Sequence, residues 1–348
     1  MPAETMSVLL AADAPGIGKE GERVMLALTP SDVHTSEELD TYLAGFSPFE
    51  FRADEVSPPN PLIVKENDTF RTFSKNNAFR RADVESSTRE DVKTVDPESS
   101  TEPYRTVERA LGSFIPERTE AQSGTLYDVK EESLQLILWK IALDREIRLW
   151  ELLEATANWD ANNTVTLSGG TRWDQATANP IADLQARMNA SNQEVTDIWM
   201  PPTVSQAFLR HQTTRDHMRQ MLGDNPVDPN VGEGAGASKR VDYQITGMPV
   251  IHVVPGKVLN ETTDLVDEIM TDSVVLTTGG QGFPRGGRNI TTLQTFRESG
   301  PNGTGFTSRE FFVDKAGLHG GTMVVAGHSE DIVFTANTVG GLVSDVLT

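Results

Sequence analysis

Few residues here are equipped for chemistry, and their spacing is poor. Of the six histidines, His34, His211, His217, His252, His319 and His328, only the pair in "HQTTRDH" shares a stretch, at i and i+6. That separation does not put two rings on one helical face, and no HExxH or comparable zinc spacing occurs. Asp264, Asp267, Glu268 and Asp272 fall at helical spacing. They could hold a cation, but the plainer expectation is the solvated acidic face of a helix. "APGIGKEG" around Lys19 resembles a phosphate loop until its required positions are checked. Asp13 stands where the first glycine belongs and Glu20 where Ser or Thr should follow the lysine. "GGQGFPRGG", residues 279–287, is glycine-rich but opens no helix, so it lacks the amides and dipole that cradle a phosphate and reads as a flexible loop. No GxSxG elbow supports a serine hydrolase. The chain has no cysteine, so it has no disulfide, thiolate nucleophile or Cys-based metal site. The expectation is a protein with no catalytic, cofactor-binding or metal site.

The bulk properties point the same way. Net charge is -21, from 51 acidic and 30 basic residues in 348. An acidic excess of that size disfavours a nucleic-acid clamp, which needs Lys and Arg on phosphates. It suits a solvated surface or one that meets basic partners. No apolar run reaches the length of a membrane span. "MPAETMSVLLAADAPG" has no basic region before its apolar stretch, so the expectation is cytoplasmic rather than secreted.

One element dominates the pattern. Residues 126–156, "LYDVKEESLQLILWKIALDREIRLWELLEAT", contain neither proline nor glycine. They predict a helix of roughly 45 Å at 1.5 Å per residue. Its middle is apolar nearly all round, and Trp139, Leu143, Ile147 and Trp150 recur at helical spacing as the candidate packing stripe. Before it, "HTSEELDTYLAG" predicts a short helix, and the four prolines of "FSPFEFRADEVSPPNP" predict an extended track. "LIVKENDTFRTFSKNNAFRR" reads as two strands about a turn near Asn67 and Asp68. From Ala82 to Gln122 there are ten acidic and five basic residues with scattered apolar ones. That segment is either a disordered loop or a long hairpin ordered by a neighbouring subunit; the alternation ending at Phe114 and Ile115 fits the second.

After the long helix, Asn179 caps a helix with Pro180 in its first turn. "VTDIWMPPTVSQAFLRH" gives strand, proline stop and helix. "VDYQITGMPVIHVVPG" gives strand, turn and strand. "DSVVLTT" is a strand, and three or more antiparallel strands close the chain. The class is α+β.

This order of elements resembles the major capsid proteins of tailed bacteriophages. It is carried by "FRTFSKNNAFRR", the polar excursion, the long helix, "WDQATANPIADLQARMN", "VTDIWMPPTVSQAFLRH" and the ending "EDIVFTANTVGGLVSDVL". The resemblance implies a Hong Kong 97-type fold with an N-terminal arm at 1–60 and a strand pair with extended loop at 61–124. A spine helix of a peripheral domain would occupy 125–159 and an axial domain 160–290, with 291–348 returning to the peripheral sheet. It implies a shell built from copies of the chain as hexamers and pentamers, in a virion assembled in the host cytoplasm. The shell would enclose double-stranded DNA without reading its sequence. A separate scaffolding protein, a portal and a decoration protein are the further partners it suggests, and no membrane. A bacterial nanocompartment shell and a soluble enzyme of unknown type are the alternatives. Arg89, Lys93, Arg105 and Arg109 are the candidate cations for acidic patches on a neighbour, either Asp264, Asp267 and Glu268 or the segment from Glu37 to Asp40. Some relatives join subunits through a Lys–Asn bond; Lys65, Lys75 and Asn337 have the right types for it, though nothing in their spacing demonstrates one.

Overall fold

The computed structural model describes residues 33–34, 51–59, 63, 65–73, 99–123, 128–222, 242–245, 247–260, 262–279, 291–299, 305–314 and 320–348. The predicted helix at 35–46, the Lys19 loop and most of the 279–287 loop lie outside these residues.

The described chain begins with strand β1 (Val33–His34) and a one-turn helix α1 (Ala53–Val56). The proline-rich track is thus not wholly extended. Its prolines sit at 48, 58, 59 and 61, leaving the residues between free to turn once. Strand β2 (Asn67–Phe73) pairs with β3 (Ser99–Arg105) as an antiparallel hairpin. Asn67 and Asp68 therefore begin a strand and do not form the expected turn; their partners are Arg105 and Tyr104. Strand β4 (Val107–Pro116) and helix α2 (Glu117–Ser123) follow, so the reading of Ala82–Gln122 as wholly disordered does not apply from Ser99 onward.

Helix α3 (Val129–Glu154) is the predicted rod, 26 residues long, or about 39 Å. Asp128 caps it by accepting from the Lys130 amide at 2.8 Å. Strand β5 (Thr164–Thr166) leads to α4 (Pro180–Ala190), whose Asn179 side chain accepts from Ala182 N as the sequence predicts. Then come β6 (Asp197–Met200), α5 (Pro202–Arg210), α6 (Gln212–Leu222), β7 (Tyr243–Gln244) and β8 (Val250–Val253). Strands β9 (Lys257–Asn260) and β10 (Leu265–Glu268) form a separate hairpin. This corrects the acidic-helix reading. Asp264 adopts φ 56° and Asn260 Oδ1 accepts from the amides of Thr262 and Thr263, which closes a turn where a helix was expected. The chain ends with β11 (Val274–Thr277), β12 (Leu293–Arg297), β13 (Thr307–Val313), β14 (Gly321–Phe334) and β15 (Gly341–Ser344).

Two sheets organise these elements. In the first, β14 is central: β4 pairs along one side, and β13 and then β12 along the other, with β1 on β13. The second has the order β5-β15-β11-β6-β8-β7. Residues 293–334 thus supply the sheet beside α3, but the last strand crosses into the second sheet, correcting the expectation that all of 291–348 returns to the first. Gly340 makes that crossing at φ +91°, where a Cβ would run into the Leu276 carbonyl oxygen.

The second sheet is buried on both faces by a period-2 division of side chains. Ile198, Val274, Leu276 and Val343 face a core with Trp173, Leu184 and Phe208 under α4 and α5. Trp199, Val275 and Leu342 face the other way, onto Leu149, Trp150 and Leu153 of α3. The first half of α3 packs Leu134, Ile137, Leu138 and Ile141 on Ile115, Val324 and Ala326 of the first sheet. A single helix therefore bridges both sheets, which explains its length. Among the described residues no helix is long and apolar enough to cross a membrane.

Candidate assembly interface

The rod carries a charge in the middle of its apolar stripe. Leu134, Leu138, Ile141 and Leu149 all point inward, and Arg145 continues their spacing, buried at 4% exposure. Its Nε lies 3.2 Å from Oε2 of Glu330 on β14. Arg148 Nη2 approaches the same carboxylate at 2.9 Å, Arg297 Nη2 of β12 at 2.8 Å and His328 Nε2 at 3.1 Å. Arg145 also pairs with Asp54 of α1 and donates to the Ser57 carbonyl at 2.9 Å. Burial alone would push the Glu330 carboxyl up. Arg145, with His328 and Arg297, instead holds it well below the usual carboxylate range. Burial pushes His328 down, and the cations of Arg297 and Arg145 add to that against the pull of Glu330.

A second chain of polar contacts starts one residue further along the helix. Glu146 is fully buried and accepts from the amides of Arg52 (2.9 Å) and Ala53 (2.6 Å), capping α1, and from Trp150 Nε1 (2.7 Å). Burial pushes its carboxyl up while these three donors pull it down, and the net direction is up. The Arg52 guanidinium reaches Asp242 at 2.6 Å, Asp242 lies 3.2 Å from His252 Nδ1, and His252 Nε2 lies 3.0 Å from Asp197 on β6. The His252 ring stacks on Trp199 with centroids 4.3 Å apart. These groups face one another and lock α1, α3 and both sheets into one arrangement. Among the described residues no group of three or more His, Cys, Asp or Glu could hold a metal ion.

What the locked body presents is apolar surface in unusual places. Val107, Leu111 and Phe114 of β4 are 49%, 46% and 37% exposed, and Leu259, Leu265 and Val266 of the β9–β10 hairpin still more so. Among the described residues β4 pairs only with β14, and no other described strand lies on its outer edge.

The residues singled out from sequence divide accordingly. Trp150 is fully buried; Trp139, Leu143 and Ile147 are half-buried against the same cluster, on the flank of a stripe centred on Leu149, Trp150 and Leu153. Arg105 is exposed, and its amide donates to Asp331. Arg109 already has a partner in its own chain, Asp144 at 3.7 Å. Asp264, Asp267 and Glu268 lie on the hairpin. Lys65 pairs with Asp68 at 3.0 Å, and Asn337 is exposed. Arg89, Lys93, Lys75 and the segment from Glu37 to Asp40 lie outside the described residues. Sequence reasoning missed Arg145, Glu330, Arg297 and Arg52. A signal existed for the first: an arginine at a stripe position of an otherwise apolar helix.

No protein-family model and no curated protein matches the sequence. Solved structures do match in fold. A phage-related protein from Bordetella bronchiseptica RB50 superposes with TM-score 0.60 at 16% identity, over 89% of this chain and 97% of that one. The capsid structure of the cyanophage P-SCSP1u matches with TM-score 0.53 at 11% identity, over 92% and 93%. A structure from Microbacterium phage Oxtober96 matches with TM-score 0.50 at 10% identity, over 86% and 93%. The α+β fold of this chain is the Hong Kong 97-type fold of phage capsid proteins.

Proposed function

We propose that the chain is a structural shell subunit, the major capsid protein of a tailed double-stranded DNA phage, without catalytic activity. The carrying observation is that its fold matches that of a cyanophage capsid over more than nine-tenths of both chains. In this reading residues 1–60 are the arm, 61–124 the strand pair and loop, 125–159 the spine and 160–290 the axial domain; of 291–348, residues 293–334 make the return and the last strand joins the axial sheet. The buried charge node keeps each tile stiff, while the open β4 edge and the hairpins are the parts available to neighbours. Two unlike patches on one chain make a head-to-tail contact, and such contacts close into rings of five or six. The charge of -21 suits a container that holds DNA without gripping it. A scaffolding protein, a portal and a decoration protein are partners in the same proposal, and the virion is the site of action.

Negative-stain microscopy and sedimentation of the purified chain test it, at salt from roughly 0.1 to 1 M, where screening changes most. Rings or closed shells are expected. Sedimentation as a single subunit under every condition would overturn the proposal.

A further inference from the structure

The two sheets are joined on one side by the chain itself. The crossings from β11 to β12 and from β14 to β15 meet at Thr292. Its amide donates to the Thr278 carbonyl, its carbonyl accepts from the Thr335 amide, and its hydroxyl donates to the Val339 carbonyl. Both crossings join the second sheet at β11 and β15, which are neighbours in it. The far edge, β7, stands three strands away from β11, a reach of roughly 14 Å at the usual strand spacing. A sheet held only near β11 and β15 would turn about that line, and its β7 edge would move furthest. Apolar packing on α3 adds cohesion, but it is non-directional and fixes the angle less well than paired polar groups do.

The segment around α1 supplies a tie at that far edge. Towards the first sheet, Ser57 Oγ lies 2.8 Å from Thr295 Oγ1 and Pro59 bridges to Thr295 in parallel. The Ile63 amide donates to the Arg297 carbonyl at 2.8 Å, and the Ser299 amide to the Ile63 carbonyl at 2.7 Å. In the middle, the Arg52 and Ala53 amides are held by Glu146 of α3. The Arg52 guanidinium, 1% exposed, donates twice to Asp242, at 2.6 and 3.3 Å, and once to Glu55 at 2.5 Å. Asp242 directly precedes β7 and also meets His252 of β8 at 3.2 Å. The two ends differ in character. Ser57 and Thr295 are sealed from water, whereas Asp242 is 36% exposed and Arg52 Nε is buried with no partner. A buried guanidinium left partly unsatisfied, on a carboxylate that water reaches, is the weaker end.

We infer that residues 51–59 with Ile63 form a strap that sets the angle between the two sheets. The Arg52–Asp242 pair is its releasable end, and the crossings at Thr292 are the hinge line. Arg52 is a positioning residue for β7. Detaching its guanidinium leaves α1 seated on Glu146 and the first sheet intact, while β7 and β8 gain freedom to turn, a hinge motion of one layer against the other. All of these groups lie within one copy, so the strap acts whether or not the chain assembles.

The chain has no native cysteine, so pairs of spin labels can be placed at will. Arg309→Cys on β13 with Gln244→Cys on β7 reads the far edge. Arg309→Cys with Thr166→Cys on β5, the strand beside β15, reads the edge next to the hinge; all three positions are exposed. Double-labelled chain is mixed with excess unlabelled chain, so that pulsed electron paramagnetic resonance measures distances within one copy. Each parent pair should give one narrow distribution. Arg52→Met and, separately, Asp242→Asn should at least double the width for the β13–β7 pair and leave the β13–β5 pair nearly unchanged, with unaltered circular dichroism. Arg52→Lys, which keeps the charge without the fork, should fall between. Unchanged widths in Asp242→Asn, or equal broadening of both pairs, would overturn the strap, and that variant decides alone where Arg52→Met fails to fold.

Discussion

Glu330 and Arg145 meet 3.2 Å apart with side-chain exposures of 0% and 5%, joining the centre of β14 to the middle of α3. An ion pair sealed from water is weak support for stability by itself, since desolvation offsets much of the attraction. Its effect is on register. Sliding α3 by one residue along the sheet would carry Arg145 and Arg148 away from Glu330, which would keep only Arg297 and His328 beside it, and would strand the buried Arg145 guanidinium, so only one seating of the rod is tolerated.

Glu330→Gln should therefore destabilise the subunit by about 3–5 kcal/mol, the cost of breaking a buried pair from one side. Urea denaturation monitored by tryptophan fluorescence measures this. A loss below about 1 kcal/mol would mean that the arginines find water or other partners.

Acid should weaken the fold in two steps. His328 is held below its ordinary value of about 6.5, so the unfolded chain takes up that proton first and stability falls as pH drops below 6.5. Glu330, depressed below 4.5, contributes stability above its unfolded value that is lost as pH falls further, through its folded one. Glu146 and Glu154 are raised, so near their ordinary range they oppose the second step. His328→Gln should flatten the stability profile between roughly pH 6.5 and 5.5. An unchanged slope in that variant would assign the effect to other groups.

Trp150 separates packing from hydrogen bonding. Trp150→Ala should cost about 3–5 kcal/mol. Trp150→Phe keeps most of the volume but removes the donor to Glu146, and should cost about 1–3 kcal/mol. Equal losses in the two variants would show that the indole N–H, rather than the ring volume, carries the effect.

The β2–β3 hairpin should exchange its amide hydrogens faster than β14 in an unassembled subunit. It is a two-stranded unit, while β14 has neighbours on both sides. On the shell reading, assembly should slow the hairpin. Equal rates before and after assembly would mean that no neighbour covers it.

Much of this architecture can be read locally, and the failures share one cause. The α3 rod, the Asn179 cap and the β6 strand rest on periodicity or neighbouring residues, which a sequence displays. The charge node does not: Arg148 and Glu330 are 182 positions apart, so nothing near either one signals a partner. Strand β4 looked like a core-poor excursion because its stabilising ladder comes from β14, far downstream. The acidic row at 264–272 misled because spacings of three and four also fit a hairpin whose turn is set by Asn260 and Asp264.

The pairing of β4 with β14, antiparallel over ten residue pairs from Gly321↔Pro116 to Glu330↔Val107, also gives the subunit a mechanical grain. Ladder hydrogen bonds run perpendicular to the strands. A pull along β4 stretches the whole ladder in shear, so the bonds resist together. A pull across it peels them one at a time from an end. The subunit is thus hard to tear in one direction and easy to unzip in the other; on the shell reading, internal pressure would be borne best when hoop tension follows the strand axis.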